Sequence, residues 1–204
     1  MIGSETSGDI RNIAATNIVA KGTDCGVRIK SDRGRGGIVE NIRCDNFVIE
    51  DAAKQAIEIT TLYTKTKPEP VSVRTPIFKN IAISNFSIIN AKQIASIHGL
   101  PEKNISELRF SDITASGSIG FVCDYTTQIE LHNVRVDTPS GNAFKFTATR
   151  SVVLDDVTTF APQKSTPVIS LTKSDSVWLR NSQAQQGTGV FLQVAGEAPK
   201  HLVV

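Results

Sequence analysis

The sequence predicts an all-β chain, a parallel β-helix of stacked coils, and three observations carry that prediction. A motif of apolar-x-apolar followed by Asn or Asp recurs seven times from end to end. Further short strand-like segments fall between the copies. No stretch shows helical periodicity, and tight hairpin signals such as Asn-Gly, which a β-sandwich would need, are missing.

The copies occupy residues 12–18, 41–49, 80–88, 107–113, 128–136, 151–157 and 176–181. Apolar-x-apolar has the two-residue period of a strand with one buried face. The Asn or Asp that follows suits a tight bend, because these residues tolerate left-handed backbone angles and bond to their own backbone. Those bend residues are Asn17, Asn46, Asn85, Asp112, Asn133, Asp156 and Asn181. The shortest interval between neighbours runs from Asp112 to Asn133 and the longest from Asn46 to Asn85. A period of roughly 20 to 30 residues with short strands fits a solenoid whose coils stack and whose Asn amides bond from coil to coil. The second set of strands is expected at 27–30, 56–59, 121–123, 144–146, 168–171 and 190–194. The longest interval holds the polar, proline-containing segment 64–70, expected to be an outward loop.

Composition fits one soluble core. The 204 residues are 40% hydrophobic and 21% charged, and the formal net charge is +2. No global field therefore favours nucleic acid or a membrane surface as partner. No apolar run approaches a membrane span, and the N-terminus lacks the basic start and apolar centre of a signal peptide. Cys25, Cys44 and Cys123 form no CxxC pair and no disulfide framework, and read as buried small hydrophobes.

Arg28 and Lys30 stand at i and i+2 of one predicted strand, so both leave the same face, roughly 6 to 7 Å apart. Val27 and Ile29 point the other way, into the core. Such a pair suits a carboxylate, which Arg binds with a fork and Lys with a point charge; a solvated outer face is the alternative. The following Arg33-Gly34-Arg35-Gly36-Gly37 is a single copy without an aromatic platform, and reads as a turn rather than an RNA-binding segment. His98, His132 and His201 have no partner at metal-ligand spacing, so no metal and no cofactor are expected. Asp155-Asp156 falls on the repeat's bend and reads as a structural turn.

The stretches Gly3-Ser4-Glu5-Thr6-Ser7-Gly8, Arg11-Asn12-Ile13, Gly22-Thr23-Asp24-Cys25-Gly26-Val27-Arg28-Ile29-Lys30-Ser31 and 33–42 resemble family 28 glycoside hydrolases, the polygalacturonases. Gly99-Leu100-Pro101-Glu102 is also similar to the bacterial branch that includes exo-acting enzymes. The resemblance implies a right-handed single-stranded parallel β-helix (a pectin-lyase-like solenoid), with residues 1–204 forming one domain, the C-terminal part of a longer catalytic domain truncated at its N-terminal end. It implies that Arg28 and Lys30 grip the galacturonate carboxylate beside the scissile bond. Tyr63 is expected to be the family's tyrosine one coil further on, with Tyr125 as the second candidate.

The family carries Asn-Thr-Asp, Asp-Asp and Gly-His-Gly motifs upstream of Arg-Ile-Lys; none stands upstream of Arg28 here, and Asp9 stands where Gly is more usual. The resemblance implies inverting hydrolysis of α-1,4-galacturonosyl links, in which one carboxylic acid protonates the leaving oxygen and other carboxylates activate water. The expectation is therefore a hydrolase by descent with no catalytic residue of its own, inactive alone. The expected partner is polygalacturonate or a related acidic polysaccharide, and the expected location is secreted or periplasmic. An uncapped first coil around residues 10–19 would favour end-to-end self-association. A non-catalytic β-helix that binds acidic polysaccharide or serves as an adhesin is the alternative. A pectate lyase would need an acidic calcium cluster that the sequence lacks.

Overall fold

A computed structural model describes residues 1–64, 66–196 and 201–204. Its strands run β1 Ile10–Lys21, β2 Val27–Lys30, β3 Ile38–Glu50, β4 Gln55–Thr60, β5 Ile77–His98, β6 Ile105–Asp124, β7 Thr126–Asp137, β8 Phe144–Thr147, β9 Arg150–Thr159, β10 Ile169–Thr172, β11 Asp175–Arg180, β12 Leu192–Ala195 and β13 Leu202–Val203. Every pairing between them is parallel. One ladder climbs β1-β3-β5-β6-β7-β9-β11-β13, and a second climbs β2-β4-β5-β6-β8-β10-β12. The chain is thus a parallel β-helix, and each coil contributes one rung to both ladders. No helix among the described residues is long and apolar enough to cross a membrane.

The bends fall where the repeat predicts them. Asn17, Asn46, Asn85, Asp112, Asn133, Asp156 and Asn181 all have φ between 50° and 57°. A second row, Asn12, Asn41, Asn80, Glu107, Gln128, Ser151 and Ser176, lies five residues earlier and is also left-handed. Glu, Gln and Ser there lack the side chain that eases this conformation, so stacking against the neighbouring coils must impose it.

The amide ladder is partly as expected. Asn46 Nδ2 donates to Asn17 Oδ1 at 2.6 Å, and Asn133 to Asp112 at 2.8 Å. Asn85 and Asn181 instead donate to Asp45 and Asp155, the residues just before the bend of the preceding coil. For Asn85 the alternative acceptor is the Asn46 amide, and the Asp45 carboxylate is the stronger one and draws the amide sideways. Asp155 also receives Arg180 at 2.9 Å, so the Asp155-Asp156 pair belongs to the turn.

The core is a stack of aliphatic and phenylalanine side chains. Phe47 stacks on Phe86 with centroids 4.6 Å apart, and Phe110 meets Phe121 edge-on at 4.9 Å. Five of the six second-set segments form strands near their predicted bounds, and 121–123 lies inside β6. Residues 91–98 also join this ladder, as the second half of β5, although the sequence pattern does not mark them. Small Ala91 and Ala95 face the core there, so no apolar alternation stands out.

Cys44 and Cys123 are buried as expected, whereas Cys25 is only half-buried. It lies beside Arg28 rather than in the core. On β1, Ile18 and Val19 are exposed, at 39% and 72%. Of the loop 64–70, Lys65 lies outside the described residues.

Candidate substrate-binding site

Strand β2 puts Val27 and Ile29 into the core, at 7% and 0% exposure, so Arg28 and Lys30 leave on the outer face. Register carries both positions up the ladder. Arg28 is level with Glu58 and then Ser96; Lys30 is level with Thr60, His98 and then Asp124. Successive rungs are roughly 4.8 Å apart, so these side chains form two adjacent columns on one wall.

Arg28 is ion-paired through Nε with Glu58, and its Nη2 donates to Cys25 Sγ at 2.8 Å. Burial pulls the guanidinium pKa down, but the Glu58 carboxylate more than reverses this and holds it above its ordinary value. Lys30 is 8% exposed and lies under the ring of Tyr63, with Nζ 3.7 Å from the ring centroid. That is a cation–π contact. Sequence reasoning thus names three residues that the fold brings together.

A buried network fixes the loop that carries Tyr63. Asp32, 1% exposed, accepts from Arg33 N at 2.9 Å, Thr64 N at 2.7 Å, Thr66 Oγ1 at 2.6 Å and the Thr64 hydroxyl. Burial raises the Asp32 pKa, yet these donors outweigh it and hold the carboxyl below its usual range. Next to it Arg33 binds both carboxylate oxygens of Glu102 and the carbonyl of Thr66 at 2.7 Å. The backbone N–H of Tyr63 itself donates to the Ser31 carbonyl at 3.1 Å. Three coils therefore hold one aromatic ring in place.

Beyond Tyr63 the wall opens into a cleft of about 530 Å³, lined among others by Glu58, Tyr63, His98, Asp124 and Tyr125. Tyr125 shares the cleft, while Tyr63 is the tyrosine whose ring lies over Lys30. His98 Nδ1 is 2.9 Å from Asp124 Oδ2. Burial raises the Asp124 pKa, and the His98 hydrogen bond and charge outweigh it, so the carboxyl is held low. Sequence reasoning missed Glu58, His98 and Asp124. The signal that could have found the last two is the coil offset, since His98 and Asp124 stand one local rung spacing apart and pair directly in register. His132 lies elsewhere, between Glu130 and Asp155. A comparable depression of about 580 Å³ is lined by 137–139, 159 and 161–166, none of which belongs to these two columns.

Each carboxylate beside the Arg28–Lys30 pair is already engaged: Glu58 by Arg28, Asp32 by its four donors, and Asp124 by His98. Among the described residues no group of three or more His, Cys, Asp or Glu is placed to hold a metal ion. The arrangement is suited to gripping an anion, with two cations and an aromatic ring on one wall.

Comparison with known proteins finds similarity to polygalacturonases. The chain is 35% identical over 89 residues to an endo-polygalacturonase of Pectobacterium carotovorum subsp. carotovorum, covering 43% of this chain and 22% of that protein. It is 29% identical over 134 residues to an endo-polygalacturonase of Pectobacterium parmentieri, covering 66% and 30%. A probable polygalacturonase of Vitis vinifera is 28% identical over 114 residues, covering 55% and 23%. The chain spans less than a third of the length of these curated relatives. No solved structure matches. The profile of glycosyl hydrolases family 28 matches residues 1–120, more than half of the sequence, and the chain belongs to that family.

Proposed function

We propose that this chain carries the uronate-binding part of a pectin-acting glycoside hydrolase of the polygalacturonase type. The observation that carries the reading is that Arg28 and Lys30 leave the same face of β2, Lys30 lies under the Tyr63 ring, and Tyr63 lines the adjoining cleft. Lys30 supplies the point charge for a galacturonate carboxylate, and the Tyr63 ring offers an apolar face to the sugar. Arg28 must divide its donors between the ligand and Glu58, which keeps the guanidinium oriented before the ligand arrives.

The hydrolysis proposed for the whole enzyme is inverting cleavage of α-1,4-galacturonosyl links, with an acid and a base on opposite sides of the bond. The three residues hold substrate and transfer no proton. The engaged state of Glu58, Asp32 and Asp124 supports the further reading that the 204-residue chain binds polygalacturonate without cleaving it. The same observation favours the alternative of a non-catalytic binder of acidic polysaccharide. Pectin lies outside cells, so the proposed location is secreted or periplasmic. Exo-action rests on the Gly99-Leu100-Pro101-Glu102 motif, while two relatives are named endo-polygalacturonases.

The test is a titration of the purified chain with trigalacturonate beside an assay of reducing-sugar release from polygalacturonate. Binding is expected, weakened about tenfold by Lys30→Met or Arg28→Gln, as for loss of one charge-assisted contact, with no release above the blank. Release by the chain alone would overturn the non-cleaving reading. Binding that ignores both substitutions would overturn the site.

A further inference from the structure

We propose that His98, held by Asp124, is a second recognition point for a uronate, engaging another carboxylate of the same oligomer whose first carboxylate lies at Arg28 and Lys30. The inference rests on the proposed function. It is carried by three observations that the Arg28–Lys30–Tyr63 site does not use. His98 is level with Lys30 in the ladder and two rungs away, roughly 9 to 10 Å. Its Nδ1 is taken by Asp124 at 2.9 Å, which leaves Nε2 as the ring nitrogen available to a ligand. Both residues line the cleft that begins at Tyr63, and the His98 side chain is 39% exposed.

The chemistry follows from the pairing. A carboxylate fixing one imidazole nitrogen orients the ring. The imidazolium then donates from Nε2 to an anion. Uncharged, with the proton drawn to Nδ1 by Asp124, the ring presents an acceptor at Nε2 and repels a carboxylate. Recognition at this point is therefore acid-favoured. The other ionisable groups around His98 are Glu58, Tyr63 and Tyr125 along the cleft, Lys30 beneath the Tyr63 ring, and Lys145 beyond Asp124. Glu58 is neutralised by Arg28, so it adds little opposing charge.

The ligand class is a uronate oligomer with free carboxylates. A methyl-esterified oligomer has no charge to offer His98 and gains nothing there.

The test compares galacturonate, trigalacturonate and fully methyl-esterified trigalacturonate, titrated by calorimetry into wild type, His98→Gln and Asp124→Asn between pH 5 and pH 8. Wild type is expected to bind trigalacturonate several-fold to about tenfold more tightly than galacturonate at the acid end. That gain should shrink towards pH 8. His98→Gln should bind galacturonate as wild type does, which also shows that it is folded, and should lose the gain. Asp124→Asn, which weakens the contact that orients the ring, should reduce the gain. If His98→Gln keeps the full gain, or the esterified oligomer shares it, the inference falls while the Arg28–Lys30 reading stands. If galacturonate does not bind, or binds without regard to Lys30→Met, both fall.

Discussion

Asp32→Asn removes the charge at the centre of the network that holds Tyr63. In the native site Oδ2 accepts two donors from Thr64, its N–H at 2.7 Å and its hydroxyl, while Oδ1 accepts Arg33 N and Thr66 Oγ1. An amide keeps one acceptor, so Oδ1 can retain its two bonds. The NH₂ group then faces Thr64. The hydroxyl can turn and accept, but the backbone N–H meets another donor. The loss is one charge-assisted bond from the part-buried Thr64 N–H and the weakening of two bonds that no longer reach a charge. At about 1.5 to 3 kcal/mol for the lost bond and a few tenths for each weakened one, the total is about 3 kcal/mol. If that loss opens the loop locally, exchange of the Thr64 amide should speed up roughly a hundredfold. If it is felt globally, Tm should fall by about 6 to 12 °C. Because Tyr63 is the preceding residue, trigalacturonate affinity should drop in parallel. Amide exchange followed by NMR, with a titration on the same sample, is the assay. Wild-type exchange at Thr64 together with wild-type affinity would refute the claim that Asp32 positions the ring.

The remaining predictions concern pH, the ladders and the core. Asp32 and Glu102 are both held low, Asp32 against its burial by the Thr64, Thr66 and Arg33 donors, and Glu102 by Arg33. A carboxyl depressed in the fold stabilises fully above its unfolded pKa, and the effect is lost as pH falls through the folded value. The Tyr63 loop should therefore stay closed at pH 5 and begin to loosen only below about pH 4, read as Tyr fluorescence change and loss of ligand binding. Asn46→Ala should cost about 2 to 3 kcal/mol in urea unfolding, from the left-handed backbone (φ 56°) and the lost bond to Asn17, while Asn46→Gly should recover the backbone part alone. Phe110→Ala, at a fully buried ring against Phe121, should cost about 3 to 5 kcal/mol in the same experiment. Burial pushes the Cys123 thiol up to about 12, so thiol reagents at pH 8 should leave it unlabelled until the chain is unfolded.

The repeat was legible because each coil must devote a residue to the same bend. Asn and Asp at those bends advertise the left-handed geometry directly, and the sequence intervals equal the register of the stacked strands. The outward placement of Arg28 and Lys30 was legible because alternation alone sets which side of a strand they leave, whereas Tyr63, on a loop, was named only through the resemblance to a known motif. The ion pairs were not. Glu58 and Asp124 look like ordinary surface acids until the coil offset is known, and that offset shortens by one position across an irregularity between Ile88 and Ala91. The half of β5 that carries His98 was hidden for a related reason. Its inward residues include two alanines, whose burial owes to the tightness of the coil rather than to their own hydrophobicity.

The unequal coils have an evolutionary consequence. In the first ladder the step from Asp112 to Asn133 is the shortest between bends, and the step from Asn46 to Asn85 is nearly twice as long. Chain-closure entropy grows only with the logarithm of length, so the longest coil is disfavoured against the shortest by only about 0.5 kcal/mol. Lengthening an outward loop thus costs the scaffold little, while a single insertion within a rung would shift every side chain above the bend to the opposite face. Selection on such a chain has wide latitude in the loops that overhang the cleft and almost none in the rungs that carry Arg28, Lys30 and His98. New specificities in this architecture should arise by growth and exchange of overhangs around an unchanging wall.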